Sequence, residues 1–444
     1  MILLLVLFVS VGLLILASTR YNLHPFLALL GVTLLFGLAA GVPFQDLLNA
    51  IGEGFGGTIG KVGIIILLGV MIGTILEKTG GIYALASFIL KIIGDKLVNP
   101  AMGIMGYIVS IPVFGDSGFI ILLPLARALA KKVKKSFIGP VVALALGLTC
   151  THSLVPPTPG PIAAAGILEA DLGSVILYGI LVSSITLVVC ILYASYIAPK
   201  MKLVMLNPDL ADADAPIPLK TPPAWKAFLP IIIPLILIVL KSVAEYPTHP
   251  FGVGKTQEWL LFIGNPVIAL IIGFFISLLL PKKLDKRMLS STGWMGPALR
   301  DAAVIIIITG AGGAFGKVIQ QSPLADTLAE MMSGTQAGIL LPFLLAAGLK
   351  TAQGSSTVAL ITTASILAPL LGTLGLDGDM ERVMTVLSIG AGATFISHAN
   401  DSFFWIFTQM TGMDVGSGYR IHSLGTFILG TTAGICIFLL NAIL

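Results

Sequence analysis

Apolar runs long enough to cross a membrane follow one another along nearly the whole chain, near residues 2–18, 23–40, 59–79, 138–168, 174–197, 225–242, 259–280, 298–320, 383–410 and 421–443. About 20 apolar residues in a helix span a hydrocarbon core of roughly 30 Å. In lipid, each backbone N–H and C=O must be satisfied by the chain itself. Such a succession leaves one fold class, an all-α polytopic membrane protein with the lipid bilayer as its first partner. Charge content agrees: 10% of the 444 residues are charged, against about a quarter in soluble domains. The net charge of +4 is small and sits in loops. It bears on membrane orientation and gives no footing for nucleic acid.

Residues 2–18 have no basic segment ahead of them and no small-x-small cleavage site, so they are expected to form the first transmembrane helix and not a cleaved leader. Cys150, Cys190 and Cys436 lie inside apolar runs without metal-ligand spacing and are read as packing residues. Neither a metal nor a cofactor is expected. The 50 glycines and 26 prolines fit helices that pack closely and break.

Two apolar regions do not read as single spans. Residues 100–131 as one helix would measure about 48 Å, and Pro112, Gly115, Gly118 and Pro124 interrupt them. Folded back at Gly115-Asp116-Ser117-Gly118, they make two half-helices whose tip stops near the midplane. Residues 336–371 repeat the pattern, with Pro342 and Pro369 in the shafts and "TAQGSST" (Thr351 to Thr357) at the turn. Both are expected to be re-entrant hairpins.

The two halves match in order. "GVMIGTILEKTGG" (Gly69 to Gly81) aligns with "GGAFGKVIQQSPL" (Gly312 to Leu324); then come the tips "FGDSGF" and "TAQGSST"; then "CTHSLVPPTPGP" (Cys150 to Pro161) and "FISHANDSFFW" (Phe395 to Trp405). Three matches in register point to two repeats, residues 1–199 and 224–444, each with five transmembrane helices and one hairpin. An odd number of crossings inverts the second repeat relative to the first. The polar linker, residues 200–223, joins them. Lysines at 131–135, Lys200, Lys202, Lys220 and "KKLDKR" (Lys282 to Arg287) fall on the linker side, against scattered Lys61, Lys255 and Arg382 opposite. The linker side is therefore expected to be cytoplasmic, with both termini outside. Hairpin 100–131 then opens from the cytoplasm and hairpin 336–371 from outside.

The candidate site lies where the two tips and the two broken helices converge. Half-helix N-termini present free N–H groups and positive dipole ends to an anion, while hydroxyls and amides can read sugar-like hydroxyl groups. Asp116 at the first tip can carry a proton or cap the returning half-helix, and Ser117 beside it offers a hydroxyl. At the second tip, Gly354 allows close backbone approach, followed by Ser355, Ser356 and Thr357; these hydroxyls could equally serve as glue between helices. Lys350 either balances substrate charge or pairs with Asp401 or Asp116. His152 and His398 occupy matching positions in the two repeats. Asn400 and Asp401 complete the densest polar cluster of the second half, and Asp401 is the second proton-carrier candidate. Pro156, Pro157, Pro159 and Pro161 free carbonyls to line the cavity.

With "HPFLALL" (His24 to Leu30), "HSLVPPTPGP", "GAGGAFGKV" (Gly310 to Val318), "GSSTVA" (Gly354 to Ala359) and "SHANDSFFW" in family order, the chain resembles the gluconate:proton symporter family of permeases. That family lies within the wider ion-transporter superfamily. The resemblance implies uptake of a small anionic sugar acid with protons across the cell inner membrane. It also implies paired hairpins, elevator-like movement, a homodimer, and no enzymatic step. Carried over by motif, the acidic tip position is Asp116, the second tip is Gly354 to Thr357, and the His-x-Asn-Asp motif is His398, Asn400 and Asp401. This chain departs from relatives at Asp116-Ser117-Gly118, at Thr158 where a His is usual, and at Lys350 where an Arg is usual. Arg and Lys are not interchangeable donors, so the particular sugar acid stays open.

Three rival readings carry other expectations. Two intramembrane aspartates could form the dyad of an aspartyl protease, but each belongs to a different repeat and the full Gly-x-Gly-Asp signature is missing. A channel would need a ring of acidic residues or a filter loop. Sodium could replace the proton, bound by carbonyls at the broken helices.

Overall fold

The computed structural model describes residues 2–21, 23–94, 96–133, 136–204, 206, 221–245, 250–285, 288–322, 338–399 and 401–444. Lys134, Lys135, Lys220, Lys286, Arg287, Asn400 and most of the polar linker lie outside them.

The protein is an all-helical polytopic membrane protein. Among the described residues, seven helical segments are long and apolar enough to cross, and an eighth is a pair bent by 64°. Helices α1 (Ile2–Thr19) and α2 (Pro25–Ala39) lead into the 35-residue α3 (Phe44–Lys78). A short helix absent from the sequence reading, α4 (Gly81–Ile93), follows. Its 13 residues, bounded by left-handed Gly80 and positive-φ Gly94, are too few for a spanning run.

Next come α5 (Val98–Val109) and α6 (Gly115–Lys132), joined by residues 110–114. The turn thus falls ahead of the expected Gly115 to Gly118, which already belong to α6. Pro112 explains the shift: it lacks the N–H that another helical turn would need. The broken helix is α7 (Ile138–Leu154) and α8 (Pro159–Leu168), and α9 (Leu172–Leu192) ends the first half.

The second half begins with α10 (Ala224–Ala244), α11 (Lys255–Ile263) and α12 (Pro266–Ser277). The expected single span 259–280 is instead the bent pair α11 and α12. Asn265 caps α12 by accepting from the Val267 N–H at 3.0 Å, and Pro266 opens it, so the chain restarts in a new direction. Then follow α13 (Met295–Gln320), α14 (Leu340–Gln353) and α15 (Ser356–Leu367). The run 383–410 is also not continuous: α16 (Asp379–Gly392) and α17 (Ser402–Thr411) flank an irregular stretch, before α18 (Leu424–Ile443).

Two glycine contacts position the site. The Pro112 carbonyl in the α5–α6 turn lodges against Gly73 of α3, where a Cβ would lie 2.1 Å from its oxygen. Helix α16 crosses α14 at Gly392, where a Cβ would lie 2.3 Å from the Phe343 carbonyl oxygen. Overpacking of this kind costs typically about 1–3 kcal/mol. Polar glue does the rest: Tyr107 on α5 shares a hydrogen bond with Ser183 on α9 at 2.8 Å, and the Thr151 hydroxyl of α7 donates to the Tyr107 carbonyl at 2.8 Å. Packing is densest between α3 and α13, α5 and α7, and α10 and α12, and the two halves of the chain also meet where α9 packs on α10 and α8 on α15.

Candidate functional site: a polar cavity at three helix N-termini

The second tip is built by Gly354, whose left-handed φ of +84° ends α14 without a Cβ clash. Ser355 then caps α15, its hydroxyl accepting from the Val358 N–H at 3.3 Å. One turn back, Lys350 is only 2% exposed. Its ammonium donates to Asp401 Oδ2 at 2.6 Å and to the Gly354 carbonyl. Of the partners open to Lys350 from sequence, the fold selects Asp401.

Asp401 has three tasks. Its Oδ1 accepts from the Phe403 N–H at 3.0 Å and caps α17, while its Oδ2 accepts from Lys350 and from the Ser397 hydroxyl. The irregular stretch before it contains Ile396 at φ +44°, a left-handed conformation that a β-branched residue enters only under strain. Strain of that kind persists where surrounding contacts over-determine the backbone. Here Ser397 is gripped by Thr426 and Ser423.

These groups line a cavity of about 400 Å³, within the size range of small-molecule sites. Three helix N-termini reach it: Gly115 and Asp116 of α6, Ser356 and Thr357 of α15, Ser402 and Phe403 of α17. Asp116 is partly buried in the first turn of α6, where Phe114 holds the N-cap position without a side-chain cap bond. The capping alternative for Asp116 is therefore not what the helix uses. Ser402, Asp401 and Lys350 are polar neighbours of its carboxyl in the cavity.

Of the residues singled out from sequence, Asp116, His152, Lys350, Gly354, Ser355, Ser356, Thr357 and Asp401 all line this cavity. Ser117 does not; it faces a separate cavity of about 50 Å³ with Pro157, Thr158 and Pro159 of the α7–α8 break. The proline break thus contributes to that smaller space and not to the main one. His398 also stands outside the lining, its Nε2 lying 2.7 Å from the Thr351 carbonyl and propping the second tip from behind. Asn400 lies outside the described residues. Asp116 and Asp401, which belong to different halves, share one cavity, as expected where the tips and broken helices converge. The salt bridge of Asp401 to Lys350 leaves it unlike a carboxylate that shares a proton with a second one, as a protease dyad would require.

Sequence reasoning did not single out Thr149, Gln353, Thr394, Ser397, Ser402, Phe403, His422 or Thr426, all of which line the cavity. Ser397, Ser402 and Phe403 sit inside the quoted "FISHANDSFFW", and Gln353 inside "TAQGSST", so a signal was present. His422 lies at the start of an apolar run with no counterpart in the first half. Both amide atoms of Gln353, and Nδ1 of His152 and of His422, are buried without a hydrogen-bond partner among the described residues. Groups of that kind cost free energy until something bonds to them.

Comparison with known proteins places this geometry in context. The profile of the GntP family permease matches residues 1–443. A gluconate permease of Pseudomonas aeruginosa is 32% identical, over 98% of this chain and 96% of its own. A D-serine transporter, DsdX of Escherichia coli, is also 32% identical, over 99% of this chain and 98% of its own. MtrF of Neisseria gonorrhoeae, from a class described as antimetabolite efflux pumps, has the same fold, with a TM-score of 0.68 at 13% identity over 95% of this chain and 96% of that one.

Proposed function

The chain belongs to the GntP family of permeases, and from that premise we propose that it imports gluconate or a related sugar acid by proton symport. The observation that carries the reading is the buried Lys350–Asp401 pair at the meeting of three helix N-termini. Helix N-termini and an ammonium attract a carboxylate. Yet Lys350 is already neutralised by Asp401, and Asp116 adds a second carboxylate to the cavity. With both acids ionised, one cation faces two anions, and a monoanionic substrate adds a third. Burying such an imbalance is costly. A proton arriving with the substrate cancels the charge that the substrate brings and returns the loaded site to the balance of the empty one, with Asp116 as the coupled carrier and Asp401 as the second. Hydroxyls of Ser355, Ser356 and Thr357 offer partners to the sugar chain.

A zwitterionic amino acid such as the D-serine carried by DsdX needs no such charge correction. The test is therefore proton movement in proteoliposomes, with sugar acids and D-serine compared in the presence and absence of sodium. Gluconate or a related sugar acid should make the medium more alkaline as it enters, with no sodium requirement. Sodium-dependent uptake without a pH change would overturn the proton, and transport of D-serine alone would overturn the sugar acid.

The architecture proposed with this function is two inverted repeats, residues 1–199 and 224–444, joined by the cytoplasmic linker 200–223. Each half runs through a long helix, a helical hairpin, a broken helix and a closing helix. The hairpins, within 100–131 and 336–371, enter from opposite sides. The proposal includes elevator-type alternating access in a homodimer, in the inner membrane with both termini outside. Lys61 and Arg382, expected on the outer side, both pair with Glu169 in the α8–α9 connection, which fits a common face. A cysteine at Ala215, a linker position outside the described residues, should react with impermeant thiol reagents only from the cytoplasmic side. Labelling in intact cells would reverse the orientation.

A further inference from the structure

Resting on the proton-symport reading above, we propose that His422, on the wall of the cavity, is a further proton-coupling residue, joined to the ion pair by a buried chain of hydrogen bonds running Lys350, Asp401, Ser397, His422. His422 is 1% exposed and sits in the π-helical turn Tyr419–Ser423 that precedes α18. Such turns recur at functional sites. Its Nε2 lies 3.2 Å from the Ser397 hydroxyl oxygen, which in turn donates to Asp401 Oδ2, the oxygen held by Lys350 at 2.6 Å.

The middle of the chain is fixed in place. The Ser397 N–H donates to the Thr426 hydroxyl at 2.9 Å, its carbonyl accepts from the Ser423 hydroxyl, and the left-handed Ile396 aims it. The imidazole is stacked on Phe407, with ring centroids 4.8 Å apart, and edged by Phe403 and Phe404. The charged groups that act on it are therefore Asp401 and Lys350, with Asp116 and His152 in the same cavity. A histidine kept only for stacking would not need Ser397, and its Nδ1 is buried without a hydrogen-bond partner among the described residues.

The chain has two arrangements that conserve protons and charge. With Asp401 ionised, the Ser397 hydroxyl donates to it. When Asp401 takes a proton from the cavity, its carboxyl donates to Ser397 and the hydroxyl turns to a bare Nε2. Ser397 then passes its own proton to Nε2 and receives that of Asp401. The acid becomes a carboxylate, the imidazole an imidazolium, and the serine is unchanged. With the proton on His422, Asp401 holds Lys350. With the proton on Asp401, Lys350 is released toward the substrate carboxylate. A burial cost attends the imidazolium, and the carboxylate left at the other end of the chain offsets it.

The experiment measures, in proteoliposomes, the ratio of pH-gradient-driven accumulation to counterflow exchange, together with the pH profile of uptake. His422→Gln and Ser397→Ala should each lower that ratio by about tenfold or more and flatten the profile. Ser397→Thr keeps the hydroxyl and should restore both. Wild-type ratio and profile in His422→Gln and Ser397→Ala would overturn the proposal, as would a Ser397→Thr protein as impaired as Ser397→Ala. Should His422→Gln fail to fold, the Ser397 pair still decides. Absence of substrate-driven proton movement in the wild-type protein would instead overturn the symport reading beneath it.

Discussion

Asp116→Asn is expected to uncouple transport: labelled sugar acid should still cross by exchange, while accumulation against its gradient under an imposed pH difference falls to background. The asparagine keeps the size of the side chain and a hydrogen-bonding group but cannot titrate. Asp116 lines the cavity beside Ser402 at the first turn of α6, on the opposite half from Lys350 and Asp401. If it carries the coupled proton, fixing it in a neutral form leaves the site able to accept the anion in both orientations with no proton to move. The quantity that separates this from a structural role is again the ratio of gradient-driven accumulation to counterflow. A structural role lowers both together and leaves the pH profile in place. Accumulation by Asp116→Asn at the wild-type level would transfer the coupled proton to Asp401 and its chain to His422.

Lys350→Gln is expected to have the larger effect on binding. The ammonium is buried and bonded to both Asp401 and the Gly354 carbonyl. Removing it takes away the cation that faces the substrate carboxylate and also strands Asp401 as an unpaired buried anion. Truncating one partner of such a pair typically costs about 3–5 kcal/mol, so aldonate affinity should fall on the order of a hundredfold or more. A neutral polyol of similar size should lose far less, because it never needed the cation. Ser356→Ala should show the same selectivity on a smaller scale. The double variant Lys350→Gln with Asp401→Asn removes the stranded charge and should regain thermal stability in detergent without regaining the anion. Equal losses for aldonate and polyol, measured by calorimetry or scintillation proximity, would reduce Lys350 to a fold-supporting residue.

Much of this protein was legible from its sequence because the relevant signals are local. Span length, the interruptions near Pro112 and at Gly354, and the breaks at "HSLVPPTPGP" and "SHANDS" all follow from backbone hydrogen bonding that a few residues satisfy or deny. The same reasoning brought eight of the named site residues to one cavity, since a polar group in a membrane-spanning run has few places to go. Direction around a helix axis was not legible. Successive residues point about 100° apart, so Asp116 enters the cavity while Ser117 turns to another.

Partner choice was equally out of reach. Lys350 met Asp401 across 51 positions, a pairing that depends on how α14 crosses α16 at Gly392 and on no feature of either residue's neighbourhood. His422 stands at the start of the apolar run 421–443, and no local signal marks it as part of a site. It became part of the site only when the turn before α18 was packed against Ser397. Local chemistry determined which residues could form a site in the membrane, and the crossing of helices from the two halves decided which of them face one another, because that choice is made by long-range packing.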